Sequence, residues 1–167
     1  MSLQGFDLDS PIGHLKGAVA GEALVLLALP AGSRARLAAL PPEGPEARRV
    51  RDRLACYFRG DLAALEDVVA EPSGGTAFQR RVWLALRGIP AGSTISYGEL
   101  ARRIGSPRAV RAVGAANGAN PIPLVLPCHR VIASDGSLGG YGGGLPMKEW
   151  LLRHEGAPVC NGTRRAS

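Results

Sequence analysis

Cysteine and histidine are scarce in these 167 residues: three of each, scattered at Cys56, Cys128 and Cys160 and at His14, His129 and His154. An odd, sparse cysteine set without a Cys-x-x-Cys pair argues against a disulfide framework and a structural zinc site. Long apolar runs are missing too. The longest, Ala23 to Leu29, is strand-sized and falls well short of the roughly 20 residues of a membrane span. The N-terminus lacks the basic-then-apolar pattern of a signal peptide. A cytoplasmic protein with no membrane partner is therefore expected. Without a secretion signal, Asn161-Gly162-Thr163 reads as a chance match to a glycosylation acceptor.

What is present suffices for a packed core, at 46% hydrophobic and 20% charged residues. The length allows one ordinary domain or two small ones. Lysine is rare, 2 residues against 18 arginines, which suggests coding bias, yet the charge is unevenly spread. Residues 1–75 carry eight basic and ten acidic side chains, whereas residues 76–167 carry twelve basic and four acidic. The positive excess lies wholly in the second half, which points to a polyanion partner there.

Along the chain, residues 6–30 read as a hairpin or meander, with Ser10-Pro11-Ile12-Gly13 as turn chemistry and Leu15–Val19 and Ala23–Leu29 as paired strands. His14 falls here as a surface or strand residue. A short helix is expected at 33–40, then a breaker at Pro41-Pro42-Glu43-Gly44-Pro45. A helix follows from about Glu46 to Phe58, with Val50, Leu54, Tyr57 and Phe58 inward and an arginine face partly paired with Glu46 and Asp52. Cys56 beside its core positions reads as structural. Glu71-Pro72-Ser73-Gly74-Gly75 is a linker, and it divides the chain into domains 1–74 and 75–156, followed by a patternless, disordered tail at 157–167 with an incidental Cys160.

The second domain reads as mostly helical. Thr76 is an N-cap for a helix with the stripe Phe78, Val82, Trp83, Leu86, Ile89. Ser96 with Glu99 forms a capping box for a short helix, Tyr97–Ile104. After Gly105, Ser106 as N-cap and Pro107 at the first position open a second helix to Gly118. Helix, glycine turn, helix is a helix-turn-helix pattern. On the second helix Val110, Val113, Gly114 and Asn117 share one face, and Arg108, Arg111, Ala112 and Ala115 share the other. Two cations among methyl-sized side chains can lie close to a phosphate backbone, or simply form a solvated surface. A last helix is expected from Lys148 to Glu155, stopped by Gly156.

Between these helices lies Leu126-Pro127-Cys128-His129-Arg130-Val131. Pro121, Pro123 and Pro127 forbid a regular helix and favour extended backbone. Cys128 is thus expected on rigid, extended chain. A thiol becomes a nucleophile as thiolate and needs a base or cation nearby; His129 and Arg130 are local candidates, while the plainer reading is a small buried hydrophobe. Leu138 to Gly144 packs five glycines around Tyr141, either a flexible surface loop or a place for close backbone approach to a ligand.

Asn120-Pro121, Pro127-Cys128-His129-Arg130-Val131, Gly140-Tyr141, Gly143-Gly144, Lys148, Leu151-Leu152 and Glu155-Gly156 together resemble the active-site signature of the 6-O-methylguanine-DNA methyltransferases. Upstream, Gly75-Thr76, Phe78-Gln79, Val82-Trp83, Ile89-Pro90-Ala91-Gly92, Thr94 with Ser96-Tyr97, and Arg111-Ala112-Val113-Gly114 extend it in order. Residues 1–74 carry little signature and are merely compatible with the family's N-terminal α/β domain, a small antiparallel sheet plus helix of ribonuclease-H-like topology.

The resemblance implies direct repair of double-stranded DNA containing 6-O-alkylguanine. Cys128 would take the alkyl group from guanine O6, with thymine O4 as a further candidate, forming a thioether that water does not reverse, so each molecule acts once. Glu155 would orient His129, and His129 would deprotonate Cys128 through a water, the logic of an activated nucleophile. A base buried in a duplex must be flipped out; Arg111 aligns with the family's finger that fills the gap, and Tyr97 with the tyrosine that turns the phosphate and donates to guanine N3. The resemblance puts Arg108, Ala112, Ala115, Thr94 and Ser96 on the DNA-facing side, which enters the minor groove. It puts Pro123, Val131, Tyr141, Gly142 and the backbone of Cys128 around the base, with Asn120 joining the helix-turn-helix to the active site. No cofactor, no metal and no obligate protein partner are implied, since the N-terminal half offers only His14 and Cys56 as soft ligands. Two other classes stay open: a lesion-binding or regulatory DNA-binding protein without turnover, marked by binding without transfer, and a Cys-His hydrolase, marked by ester turnover.

Overall fold

The computed structural model of the chain describes residues 2–30 and 39–159. The expected helix at 33–40 lies almost wholly outside them, as does Cys160 with the rest of the tail beyond Val159. The described chain forms two compact units: residues up to Gly74 together with Pro121–Val125, and Gly75–Asn120 together with the residues from Leu126 onward.

In the first unit three strands pair antiparallel in sequence order: β1 (Leu3–Ser10), β2 (Gly13–Ala20) and β3 (Ala23–Ala28). The meander starts earlier than residue 6, because Leu3, Gln4 and Gly5 find partners in Ala20, Val19 and Ala18 and so satisfy their backbone groups. At the first turn Ser10 Oγ donates to Gly13 O at 2.7 Å. Phe6 stands opposite Gly17, where an added Cβ would collide with its ring; the glycine leaves room that the aromatic fills. His14, on β2, sits between Asp9 and Asp7, each at 2.7 Å.

Helix α1 (Pro45–Phe58) packs on β1 and β2 through Ala47, Val50, Leu54 and Tyr57. Pro45, read as part of a breaker, instead opens the helix, where its missing N–H costs nothing. The arginines pair only partly as expected: Asp52 takes Arg51 at 3.4 Å, but Glu46 takes no arginine among the described residues. Glu43 takes Arg51 at 2.6 Å and Arg48 at 3.4 Å, Asp67 takes Arg53, and Glu46 binds Gln4. Glu43 precedes the helix and can reach both arginines, whereas Glu46 is drawn to β1. Cys56 is half-buried and accepts from Arg59 Nη2 at 3.1 Å. Beyond α1 the chain returns to β3, where Leu24 N donates to Val69 O, and Leu27 N donates to Pro121 O of the 121–125 segment.

The second unit is mainly helical. α2 (Ala77–Ala85) begins with a full capping box, in which Thr76 Oγ1 accepts from Gln79 N and Gln79 Oε1 from Thr76 N. Its Trp83 is buried, with Nε1 donating to Ala116 O at 2.7 Å. That carbonyl belongs to α4 (Val110–Gly118), which follows α3 (Tyr97–Arg103). Ser96 Oγ caps α3 by accepting from Glu99 N, but the reciprocal half of the expected box is not part of the cap. The Glu99 carboxylate binds Arg102 and Arg103 one turn on.

α4 starts three residues later than expected. Ala109 N bonds Ser106 O at 2.9 Å, closing a turn that contains Pro107 and Arg108. Ser106 Oγ therefore does not cap α4; it accepts from Arg81 Nη2 at 3.1 Å. Two short strands escaped the sequence reading, β4 (Ile95–Ser96) and β5 (Val131–Ile132), which pair in parallel. α5 (Leu145–His154) starts three residues before Lys148, with Gly144 at φ +96° as its cap and Pro146 in the first turn. No helix among the described residues is long and apolar enough to cross a membrane.

Candidate active site

The segment around Cys128 is a turn, not the extended chain expected from its prolines. Arg130 N bonds Pro127 O at 3.0 Å, and Cys128–Arg130 forms one 3-10 turn with all three side chains buried. Proline suits the position before such a turn, because its fixed φ presets the bend and it has no N–H to satisfy. Two amides hold the turn from the end of α4. Asn117 Nδ2 donates to Cys128 O at 3.2 Å, and Asn120 Nδ2 donates to Leu126 O at 2.7 Å. On the other side β5 runs beside β4, with Ile95 opposite Val131 and Ser96 opposite Ile132. That pairing sets Tyr97, the first residue of α3, next to the reacting segment.

A buried charge cluster lies behind the cysteine. Glu155, the residue capping α5, accepts from His129 Nε2 at 2.8 Å, from Arg130 Nε at 2.8 Å and from Arg130 Nη2 at 2.9 Å. Arg130 Nη1 also donates to Ile89 O at 2.6 Å. Burial opposes ionisation of Glu155, but the hydrogen bonds from His129 and Arg130 outweigh it and hold its carboxyl well below the usual range. For His129 burial dominates and lowers the pKa despite Glu155, so the ring is neutral at pH 7. A carboxylate only accepts, so Nε2 of that neutral ring carries the hydrogen. The lone pair is then on Nδ1, which is buried and has no hydrogen-bond partner among the described residues.

Burial likewise pushes the Cys128 thiol up, opposed by a hydrogen bond from Asn120, the charge of Lys148, its own backbone and Tyr141. At rest the sulfur is protonated, and a base must act before it can attack. Burial raises Tyr97 as well, with the Cys128 charge adding to it and a hydrogen bond from the Gly140 backbone opposing it. Its phenol is therefore a proton donor at neutral pH.

Cys128, His129, Glu155, Tyr97, Asn120, Val131 and Tyr141 all belong to the second unit, as does the exposed Gly142. Pro123 does not. It is buried in the 121–125 segment, which groups with the first unit. Arg111, Ala112 and Ala115 are exposed along α4, and Arg108 is exposed on the turn before it. Thr94 is half-buried, and the Ser96 hydroxyl is engaged as the α3 cap.

Sequence reasoning assigns no role to three residues of the site, although Arg130 and Lys148 stand in the signature it quotes. It weighs Arg130 only as a nearby charge, and Asn117 only as one member of a helix face. Lys148 is fully buried and donates to the carbonyls of Val131, Leu138 and Gly140. A signal for it exists: Lys148, Leu151, Leu152 and Glu155 recur at i, i+3, i+4, i+7, which puts both charged residues on the core face of the helix. Among the described residues no three His, Cys, Asp or Glu side chains converge as metal ligands.

Comparison with known proteins finds the family model "6-O-methylguanine DNA methyltransferase, DNA binding domain" matched over residues 77–157. The Salmonella typhimurium methylated-DNA–protein-cysteine methyltransferase is 56% identical over 121 residues, covering 72% of this chain and 67% of that protein. The Mycobacterium leprae protein of the same name is 47% identical over 152 residues, 89% of each chain. The structure of Mycobacterium tuberculosis OGT in complex with DNA superposes with a TM-score of 0.82 at 45% identity, covering 92% of this chain and 94% of that one.

Proposed function

The chain belongs to the methylated-DNA–protein-cysteine methyltransferases, and from that premise we propose that Cys128 repairs alkylated DNA by taking the alkyl group from guanine O6 in one irreversible turnover. The observation that carries this reading is the protonated, buried thiol on a turn whose next residue, His129, is a neutral base locked by Glu155 and Arg130.

The steps follow from the charges. His129 Nδ1 accepts the Cys128 proton; no direct hydrogen bond joins the two groups among the described residues, so a bridging water carries it. The imidazolium that forms is stabilised by Glu155, which stays ionised because Arg130 holds it on both oxygens. Sulfur attacks the alkyl carbon, the S–C bond forms as the C–O6 bond breaks, and the electron pair leaves with guanine. Tyr97 supplies a proton donor to the departing base, at N3 by analogy with the family. The product is a thioether. It has no acid–base route back to the thiol, so the protein is consumed.

The partner is double-stranded DNA. We read α3, the Gly105 turn and α4 as a helix-turn-helix that meets the minor groove, with Arg111 filling the gap left by the flipped base and Arg108, Ala112, Ala115, Thr94 and Ser96 along the backbone. Val131, Tyr141 and Gly142 line the base pocket in this reading, and Asn120 ties α4 to the reacting segment. The first unit is read as the family's ribonuclease-H-like domain (1–74), and residues 75–156 as the reactive one.

The deciding experiment mixes the protein with a duplex holding one 6-O-methylguanine and measures intact and peptide mass. A gain of one methyl on Cys128, one per chain and without further turnover, is expected. Lesion-dependent binding with no mass gain would instead mark a lesion sensor and overturn the reading.

A further inference from the structure

We infer that Arg81 is a positioning residue for duplex recognition: it draws the Ser106 hydroxyl away from α4 and so sets where Arg108 is presented to DNA. The inference rests on the reading of α3 and α4 as the DNA-facing pair.

Sequence and geometry disagree at this turn. Ser106-Pro107 is helix-start chemistry, a capping hydroxyl followed by a proline whose missing N–H costs nothing at the first position. α4 nevertheless begins at Val110; its cap position is Ala109, at φ −95° and ψ 35°, and no side chain caps it. The Ser106 hydroxyl is occupied elsewhere, accepting from Arg81 Nη2 at 3.1 Å. The same nitrogen also donates to Ile104 O at 2.9 Å. That carbonyl lies at the end of α3, where a helix leaves acceptors without intrahelical partners. One guanidinium nitrogen therefore grips both residues flanking Gly105, which sits at φ +77° and has the greatest backbone freedom of the turn.

Arg81 is itself held from outside the turn. It lies on α2, whose start is fixed by the Thr76 capping box, and its guanidinium stands 5.8 Å from the centre of the Phe78 ring. With the hydroxyl taken, Pro107 and Arg108 form a turn closed by Ala109 N on Ser106 O, and Arg108 is exposed on it. With the hydroxyl free, Ser106 would cap a helix starting at Pro107. Ala109 would then take helical dihedrals, and Arg108 would stand in the first turn, where the helix dipole disfavours a cation. The two forms present Arg108 differently, and Arg81 selects the first.

The test compares wild type with Arg81→Met, which keeps the stem and removes the guanidinium, with Arg81→Gln run beside it, and with Arg81→Met carrying Arg108→Ala or Ser106→Ala. The first readout is the Ala109 Cα chemical shift. It should become helical in Arg81→Met and stay at the wild-type value when Ser106→Ala is added. The second is the single-turnover rate of methyl gain at Cys128 against concentration of a 6-O-methylguanine duplex. Half-saturation should rise about tenfold in Arg81→Met, the order that one charge-assisted hydrogen bond carries. The limiting rate and the rate with free 6-O-methylguanine should not change. In the Arg108→Ala background Arg81→Met should cost nothing further, because the two residues act through one contact.

An unmoved Ala109 shift in both Arg81 variants overturns the inference. So does an equal loss with and without Arg108, which would make Arg81 a direct phosphate contact. Equal loss on duplex and free base also overturns it, since α2 would then serve the fold alone. If wild type never gains a methyl, the transferase reading falls; the Ala109 shift and duplex binding by fluorescence anisotropy then judge Arg81 by the same criteria.

Discussion

Glu155 accepts one hydrogen bond from His129 and two from Arg130, with its side chain wholly out of water. Its folded pKa is depressed, so its contribution to stability is fully present above the unfolded value of about 4.3 and is lost as pH falls below it. Urea midpoints should therefore decline between about pH 5 and pH 2, and the decline should be shallower in Glu155→Gln. Equal slopes would mean that other carboxylates govern acid unfolding. In the same variant the neutral amide cannot stabilise the imidazolium. Transfer to Cys128 should slow about 100-fold, at the low end of what general-base catalysis contributes. Arg130→Met leaves Glu155 buried without its cation and should cost about 3–5 kcal/mol of stability, read from denaturant unfolding.

Two helix caps of similar chemistry serve different ends at the scale of elements. Thr76 caps α2 and Ser96 caps α3, each accepting from the residue three positions on. Either alanine variant should lose about 1 kcal/mol. Only Ser96→Ala should also slow methyl transfer, because Tyr97 follows the cap directly and β4 ends on it. A Thr76→Ala protein that transfers as slowly as Ser96→Ala would dissolve that distinction. α4 offers a complementary comparison. Arg111→Ala should weaken repair in duplex more than attack on free 6-O-methylguanine, since an exposed helix residue can matter only when DNA is present. Equal loss on both substrates would remove the finger role.

The whole molecule is electrically lopsided, with its net positive charge confined to the residues from 76 onward. Binding to duplex should accordingly fall steeply and linearly with the logarithm of salt concentration. Removal of Arg108 and Arg111 should flatten that slope by about one unit for each phosphate they neutralise. An unchanged slope would place the DNA on another face.

Much of this organisation is legible in the sequence because it is local. The Thr76 and Ser96 caps and the α1 core face depend on residues a few positions apart, which periodicity and cap chemistry read directly. The meander depends on alternation and turns. The errors are local competitions decided by other partners. Ser106 gives its hydroxyl to Arg81, far along the chain, instead of capping α4, and Glu99 gives its carboxylate to Arg102 and Arg103 instead of closing a box.

The sequence by itself determined the kind of chemistry: one cysteine beside a histidine, an ordered signature, and a basic half without disulfide or metal ligand patterns. Only the tertiary structure decided how that chemistry is armed. Burial made the thiol protonated and His129 neutral. Arg130 and Lys148 became respectively the clamp on Glu155 and the anchor of the glycine loop. No spacing rule reveals such states, because desolvation and hydrogen-bond closure arise only when segments more than twenty residues apart in sequence, such as Arg130 with Glu155 and Ile89, come together in space.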